Sequence, residues 1–289
     1  MNRFFKPVTL WLLLALISLT FQQCRLMSPM LQAEKVGVKL SYSFTDAGSL
    51  NYRQEQKIDQ EIQVGQQNIK VAIIQSTDFN VVELTEDHNL IRLACKLNSL
   101  SFDINAGGQP IKSDLKELQG KEFRFTLSDY GRESDMKEAD ALDFEIVPSE
   151  KGTLTSIFKG IFPDLSPGVL KAGSSWNSSD TVSYLDEQRS SELILENHHT
   201  LAGFVEIDGF NCAEIRNDFT GSIKAQTMTQ GMEIVTDAVI KGTSTWYFVF
   251  DKGRFLKETS SGTADGIIKT PQGEMKLLRK FNNITTLVQ

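Results

Sequence analysis

The sequence predicts an all-β protein with short helices, in which two duplicated antiparallel curved-sheet or half-barrel modules are joined by a short helical linker. Three observations lead to this prediction. Apolar and polar residues alternate through most of the chain after residue 35, as in strands with one buried face. A pattern of about fifteen residues occurs twice, at 118–132 and 240–254. A single apolar stripe at helical spacing lies between the two copies.

The two copies of the repeat agree in the placement of residue types more than in identity. Counted back from Asp129 and Asp251, each copy has a glycine nine residues earlier (Gly120, Gly242) and an aromatic residue four residues earlier. Each copy then closes with Asp-x-Gly-Arg, which suits a tight hairpin because glycine tolerates a positive φ. Since the match runs without a gap, it favours a duplication over two unrelated hairpins.

The strands inside the repeat differ in the number of their apolar faces. Phe123, Phe125 and Leu127 place one apolar face on the first strand, because side chains two residues apart share a side. In the second copy, apolar residues occupy both sides of the strand between 246 and 250. We therefore expect the second strand to be buried on both faces.

A length of 289 residues suits one large β domain or two smaller modules. We predict a signal peptide or N-terminal anchor at 1–33, a first β module at 34–147, a linker with a short amphipathic helix at 148–175, and a second β module at 176–289. The charged stretch at 133–140, which precedes the linker, is expected to be exposed.

The linker contains the apolar helical stripe. Ile157, Phe158, Ile161 and Phe162 share one face of a helix that begins at residue 154 and that Pro163 ends, since proline clashes with the preceding turn. The preferred interpretation is that this stripe is core. The alternative is that it covers an apolar ligand on a concave sheet.

The N-terminus is typical of an export signal. Two basic residues precede an apolar run of about fifteen residues at 7–21. A helix of that length spans about 22 Å, less than the ~30 Å hydrocarbon core of a bilayer, so a cleaved signal is favoured over a membrane-spanning anchor. Two forms of processing stay open: lipidation at Cys24, although Gln23 before it is large, or cleavage near Ala33. Both place the protein outside the cytoplasm, in the periplasm or cell envelope, soluble or lipid-anchored.

Two further cysteines, Cys95 and Cys212, lie one in each half of the chain. A disulfide between them would suit an exported protein and would close a loop of over a hundred residues. Two buried free thiols are the preferred alternative.

The composition excludes some functions and leaves others without a motif. A net charge of −7 with no basic run beyond the first residues argues against nucleic acid as a partner. His198 and His199 are adjacent in a predicted strand and face opposite ways, and His88 is expected in a solvated turn, so no metal site is predicted. Asp143 and Glu145 share one strand face that we interpret as solvated. No nucleophile elbow, zinc motif or phosphate loop occurs, so neither an enzyme nor a cofactor is expected.

The order L-x-G, F-x-L and D-x-G-R, followed by FPDLSPGVLKAGSSW and VEIDGFNCAEI, resembles a group of uncharacterised exported bacterial proteins built from two β modules. More distantly, strands followed by an apolar helix resemble the lipoprotein-carrier (LolA-like) half-barrel superfamily. That second resemblance implies a curved antiparallel sheet whose concave face holds a helix or an acyl ligand. It supplies no catalytic residue.

These observations favour an exported, non-enzymatic binding or carrier protein for a lipid or another apolar ligand of the bacterial cell envelope. Its ligand contacts would be Ile157, Phe158, Ile161 and Phe162. The alternative is a structural or interaction protein of the envelope, which would pair with another envelope protein through an edge strand or a flat face. Contact with a membrane is expected only through a retained N-terminal anchor.

Overall fold

A computed structural model of the chain describes residues 28–44, 48–87, 89–147, 150–185, 188–229 and 231–288. Most of the predicted signal segment, including Cys24, lies outside these described residues, and so does His88. The predictions made for them stay predictions.

Strands dominate the described residues, and the helices are short. The helices are α1 (Pro29–Val36), α2 (Lys137–Asp140) and α3 (Leu154–Phe158), with a 3-10 turn at Lys116–Leu118. The strands are β1 (Val38–Lys39), β2 (Leu50–Val64), β3 (Gln67–Asp87), β4 (Leu90–Ala106), β5 (Gln109–Asp114), β6 (Glu122–Ser128), β7 (Glu133–Ser134), β8 (Asp143–Val147), β9 (Glu150–Thr153), β10 (Val169–Leu170), β11 (Ser175–Leu185), β12 (Arg189–Ile207), β13 (Phe210–Thr229), β14 (Met232–Val249), β15 (Arg254–Thr270) and β16 (Gly273–Val288). The all-β prediction is confirmed.

The predicted boundary at Ala33 falls inside α1, where Ala33 is buried. Ser28 caps this helix by accepting a hydrogen bond from the Leu31 N–H at 3.3 Å, and Gly37 ends it with a φ of 88°. Within the described residues, no helix combines the length and the apolar character that crossing a bilayer requires.

One antiparallel sheet of twelve strands runs through the molecule and curls into an open half-barrel. Its order is β11-β12-β13-β14-β15-β16-β2-β3-β4-β6-β7, with β5 also paired to β4. The last strand, β16, pairs with β2, so the regions predicted as two modules continue into each other as one sheet. The curved sheet is confirmed, whereas a division into two duplicated modules is not.

The two copies of the repeat correspond only in their second halves. Each has a strand, a tight turn and a following strand, and the turn glycines Gly131 and Gly253 have φ values of 94° and 63°. Earlier in the repeat the copies differ: Gly120 lies in a turn with a φ of 80°, whereas Gly242 lies in the middle of β14. The shared glycine therefore serves two different purposes, and the duplication stays a prediction.

Both repeated turns hold the same extended segment, residues 40–44. The Tyr42 N–H donates to the Asp129 carbonyl at 2.8 Å, and the Ser43 N–H donates to the Gly253 carbonyl at 2.8 Å. A Cβ at Gly253 would lie 2.6 Å from the Ser43 nitrogen, so this close approach requires glycine. The turns thus fix the segment across one end of the curled sheet, which we call the base. The opposite end, with turns at 65–66 and 271–272, is the distal end.

An aromatic core fills the concave face at the base. Phe255 stacks on Tyr52 with ring centroids 4.5 Å apart, and both side chains are buried. The linker enters this core, where Phe158 meets Phe79 and Phe162 meets Phe255. Buried aromatic side chains of the sheet and of the linker thus contact one another, and these contacts fix the linker against the sheet.

The prediction for the linker helix is wrong in length, because the observed helix is shorter. Helix α3 ends at Phe158, and Ile161 and Phe162 follow it outside any helix. Gly160 takes a φ of 78°, a conformation that a continuing right-handed helix does not allow, so the helix ends well before Pro163. Phe158, Ile161 and Phe162 are buried all the same, as the core interpretation requires.

The charged stretch at 133–140 is exposed at five of its eight positions, as predicted, and buried at the other three. Glu133 is only 4% exposed, and Met136 and Ala139 belong to the core. Charge content predicted a solvated surface here, but helix α2 packs against β6 and covers its neighbours.

The predicted strand faces are confirmed. Phe123, Phe125 and Leu127 are buried together on one face of β6, and β14 buries Phe248 and Val249 on opposite faces. Cys95 and Cys212 are both buried with free thiols, so the disulfide alternative is not formed in the structure.

Candidate ligand-binding site

A cavity of about 470 Å³ lies between the concave face of the sheet and linker residues 156–164. Its walls come from β11 to β16, from β2 and from the linker. Pockets for small molecules commonly have volumes of roughly 300–1,000 Å³, so the cavity has the size of a binding site.

The antiparallel register aligns inward-facing side chains into rows that cross the strands. One row consists of polar residues that are Cα partners on successive strands: His199, Asn217, Ser244, Ser260 and Asn283. We call these five residues the polar row. All of them line the cavity.

Beyond the polar row, towards the distal end, the lining becomes apolar. This apolar patch consists of Leu193, Leu195, Phe219, Ile223, Ile240 and Phe281. Phe219 and Phe281 stack with ring centroids 6.2 Å apart, above Gly242 and Gly262 on the two strands between them. A Cβ at either glycine would lie 2.5 Å from the nearer ring, so glycine provides the space in which the rings lie.

On the base side of the polar row lies a buried carboxyl group, that of Glu258, which is 7% exposed. Asn283 Nδ2 and the Thr285 hydroxyl donate to its Oε2 at 2.8 and 3.3 Å. Burial raises the pKa of Glu258 to about 7, although these hydrogen bonds act to lower it. Glu258 therefore titrates near neutral pH at the boundary between the core and the cavity.

The adjacent histidines face opposite ways, as predicted. His199 is buried, stacks on Trp176 with ring centroids 5.3 Å apart, and lies with its Nε2 2.9 Å from the Ser178 hydroxyl. His198 is exposed and pairs with Asn177 at 2.7 Å on the other face. Burial, with the charge of His198 as a second cause, lowers the pKa of His199 to about 4, so its ring is neutral at pH 7.

Two carboxyl groups lie where the linker meets β11. Burial raises the pKa of both Asp164 and Asp180, and the negative charge of Asp180 raises that of Asp164 further. Lys159 acts in the opposite direction on both. Arg132 acts in the same direction as Lys159, but the pKa of both carboxyl groups stays raised, so the two cations offset the burial of these groups only in part.

Lys159 and the buried Glu133 fix the linker wall. The Lys159 ammonium donates to the Glu133 main-chain carbonyl at 2.6 Å. The distance from Lys159 Nζ to Oε2 of the Glu133 side chain is 3.9 Å. The Phe162 N–H donates to Glu133 Oε1 at 3.1 Å. Burial raises the pKa of Glu133 to about 8, since these two partners compensate only part of the lost hydration.

Four buried polar atoms that belong to cavity-lining residues have no hydrogen-bond partner in the described part of the chain. They are Asn217 Oδ1, Asn283 Oδ1, His199 Nδ1 and Asp164 Oδ2. A buried polar atom without a partner typically costs about 1–3 kcal/mol, and native proteins keep few of them. Their concentration around one cavity marks a place that a ligand can stabilise.

The sequence-predicted contacts are divided between the cavity and the core. Ile157, Ile161 and Phe162 line the cavity, whereas Phe158 packs into the core against Phe79 and Phe123. Sequence reasoning missed the polar row and Glu258. The sequence contained one signal for these residues. It is a polar residue at an inward-facing strand position whose inward-facing neighbours are apolar, as His199 is next to Leu201.

The remaining candidates lie elsewhere. Asp143 and Glu145 are exposed on β8, in the small β8-β9 sheet, which agrees with the solvated interpretation. Among the described residues, no group of three or more histidine, cysteine, aspartate or glutamate side chains is placed to hold a metal ion.

Comparison with known proteins gives no assignment. No family model matches the chain, and no curated protein matches it. Among solved structures, a Bacteroides fragilis protein inferred to be exported and described as having a YmcC-like fold superposes with a TM-score of 0.26 and 8% identity, over 87% of this chain and 97% of its own. Pseudomonas aeruginosa OccK7 (OpdD) superposes with a TM-score of 0.24 and 4% identity, over 83% of this chain and 100% of its own. Superpositions with such low scores establish neither a common fold nor a common function, so export and the distant resemblance to the LolA-like superfamily stay predictions.

Proposed function

We propose that the protein binds a small amphipathic molecule in the cavity between the concave face and the linker, as a binding or carrier protein of the cell envelope. The observation that carries this proposal is the division of one cavity into an apolar patch and an adjoining polar row. A purely structural interior would have little reason to combine an open cavity with buried polar atoms that lack partners.

The apolar patch supplies the driving force for the apolar part of the ligand. Leu193, Leu195, Ile223 and Phe281 are only partly buried, although they point to the concave side. An apolar chain that covered them would remove their surface from water, with a gain of about 25 cal/mol per Å² of apolar area. The patch thus favours a hydrocarbon group of modest size.

The linker supplies the second wall. Ile157 and Ile161 face the cavity from the side opposite the apolar patch, and Glu133 holds this part of the linker in place through Phe162 and Lys159. A ligand between the two walls would contact apolar groups on both sides. An exported location, as the N-terminal sequence predicts, would give such a protein access to envelope lipids.

Extraction of the natural ligand tests the proposal most directly. The full chain is purified from its own organism without detergent, extracted with organic solvent and analysed by mass spectrometry. We expect an amphipathic molecule in a near-stoichiometric amount. Recovery of none, together with no binding of the neutral fluorescent probe N-phenyl-1-naphthylamine, would instead favour a structural or interaction role in the envelope.

A pair of variants locates the binding in the cavity. Leu195→Gln places an amide in the apolar patch, whereas Glu196→Gln changes the adjacent, exposed position on the convex face. We expect Leu195→Gln to weaken probe binding by about ten-fold, since an unpaired amide in an apolar site opposes burial of the probe. Equal affinities of the two variants would place the probe elsewhere.

A further inference from the structure

We propose that the polar end of the cavity recognises a head group that donates hydrogen bonds, through hydroxyl or ammonium groups, and discriminates against anionic head groups that only accept them. This inference rests on the proposed binding function and adds to it the chemistry of the ligand. It follows from the kind of atom that the cavity leaves without a partner.

The two asparagines of the polar row both leave an acceptor unused. Asn283 Nδ2 donates to Glu258 at 2.8 Å, and Asn217 Nδ2 donates to Asn197 Oδ1 at 3.0 Å. In each amide the NH₂ group already donates to the protein, whereas the carbonyl oxygen has no partner among the described residues. A ligand can satisfy these oxygens only by donating.

The hydrogen bonds around His199 make its free nitrogen an acceptor as well. Hydrogen bonding by Ser178 favours the charged form of the Asp164 carboxyl group, and when that group is ionised it can only accept, so the hydroxyl proton then points to Asp164. The Ser178 oxygen must then accept from His199 Nε2–H at 2.9 Å. In a neutral imidazole this leaves Nδ1 unprotonated, and Nδ1 has no partner in the described structure.

The charges that line the cavity reinforce this preference. Three carboxyl side chains that point into the cavity, those of Asp164, Asp180 and Glu258, lie beside two cations of the lining, Lys159 and Arg279. Both cations already have partners within the protein. Lys159 donates to Glu133 at 2.6 Å, and Arg279 donates twice to Gln60, at 2.7 and 3.1 Å. An anionic head group would meet acceptors and negative charge, whereas a donor would meet acceptors that need one.

The rows also set the orientation of the ligand. The unpartnered atoms of Asn217, Asn283 and His199 belong to the polar row, and the apolar patch begins in the next row towards the distal end. The head group is therefore expected beside the linker and the base, with the hydrocarbon chain directed over Phe219 and Phe281.

The experiment measures displacement of N-phenyl-1-naphthylamine from the full chain at pH 7.5 by three ligands with the same ten-carbon chain. These are decylamine, 1-monodecanoylglycerol and decanoate, each below its micellar concentration. We expect the amine and the monoglyceride to compete at least about ten-fold more strongly than decanoate, because the unpartnered atoms of the polar row are acceptors, which a second acceptor cannot satisfy. The two donor ligands separate an ammonium preference from a hydroxyl preference.

The outcomes distinguish this inference from the function on which it rests. Equal competition by all three ligands, or stronger competition by decanoate, overturns the head-group inference while leaving ligand binding intact. No binding of the probe overturns both.

Two matched variants assign the preference to the polar row. Asn283→Val and Asn217→Val each remove one acceptor, together with the N–H that donates to Glu258 or to Asn197. Asn282→Val changes the exposed position next to Asn283 on the opposite face. We expect either polar-row variant to lose most of the preference for 1-monodecanoylglycerol over decanoate, whatever its own affinity for the probe. Asn282→Val should keep it. If both polar-row variants retained the parental ranking, the head group would not lie at this row and the inference would be wrong.

Discussion

The base half and the distal half of the concave face are formed by the same strands and yet differ in how they are filled. Along β14 and β15, the base half presents Phe248 and Phe255, which are completely buried. The distal half presents Gly242 and Gly262, and the rings of Phe219 and Phe281 on the two neighbouring strands lie above these glycines. The linker packs into the base half, and its residues 156–164 also line the cavity.

This difference shows that a curled sheet does not by itself produce a solid interior. Strong curvature gives the sheet a concave face, and some other part of the chain has to fill it. Here the linker contributes Phe158 and Phe162 to the base half, where both rings are buried against aromatic side chains of the sheet. Towards the distal half it forms only one wall of the cavity. A space of ligand size is left where the chain supplies no more side chains.

The largest expected effect is the loss of stability when a buried ring is removed from the base half. Phe255→Ala removes a completely buried ring that contacts Tyr52, Phe162 and Trp246, so it should lower the free energy of unfolding by about 3–5 kcal/mol. Phe281→Ala removes a partly buried ring beside the cavity, and it should lower the same quantity by about 1–2 kcal/mol because less surface is exposed and no closed void forms. Chemical denaturation measures both.

Equal losses for the two variants would mean that the distal half is packed as tightly as the base half, and the comparison on which the proposed function depends would fail.

The next largest effect is the pH dependence of stability that Glu258 causes at the boundary between the base half and the distal half. Glu258 has a folded-state pKa of about 7 against an ordinary value of 4.5, so between these pH values the folded state binds more protons than the unfolded state. Stability from this group is therefore present below about pH 4.5 and is lost as the pH rises towards 7. The loss is on the order of 3 kcal/mol.

Glu258→Gln keeps an oxygen that can accept from Asn283 but cannot ionise. We expect the variant to gain stability relative to the parent between pH 4.5 and 7, by on the order of 3 kcal/mol, and to hold that gain at higher pH. Denaturation midpoints across this range give the difference, and Glu196→Gln at an exposed site is the control. A difference between variant and parent that did not change with pH would show that Glu258 is solvated, in contradiction to its buried position.

The smallest effect concerns the glycines of the distal half. A Cβ at Gly262 would lie 2.6 Å from the Lys241 carbonyl oxygen and 2.5 Å from the Phe281 ring, so Gly262→Ala should destabilise the protein by about 1–3 kcal/mol. At Gly203 in β12, a Cβ would meet no atom within 4 Å, so Gly203→Ala should change stability by less than about 1 kcal/mol. Thermal or chemical unfolding of the pair gives the measurement.

A neutral Gly262→Ala substitution would indicate that Phe281 moves aside freely and that the apolar patch is not preorganised for a ligand.

Sequence patterns predicted the parts of this fold that depend on neighbours along the chain. Alternation placed Phe123, Phe125 and Leu127 on one buried face and turned His198 and His199 to opposite sides, because the geometry of a strand fixes both results locally. Composition and local pattern failed where distant contacts decide. Glu133 is buried within the charged stretch at 133–140, since the linker donates to its carboxyl group from the Phe162 N–H and to its main-chain carbonyl from Lys159.

The candidate site was predicted only in part, for the same reason. Local apolar spacing found Ile157, Ile161 and Phe162, which line the cavity. Asn217 and Asn283 belong to strands that are separated by two others in the sheet, and nothing in their sequence neighbourhoods indicates that they share a row.

By itself the sequence determined that the protein is made of strands joined by tight turns, with one apolar segment between two stretches that resemble each other. Only the tertiary structure decided that those stretches join into one sheet through β16 and β2, and that the apolar segment covers just one half of its concave face. The physical reason is that strand pairing and packing depend on register and curvature, which contacts between residues far apart in the chain establish together.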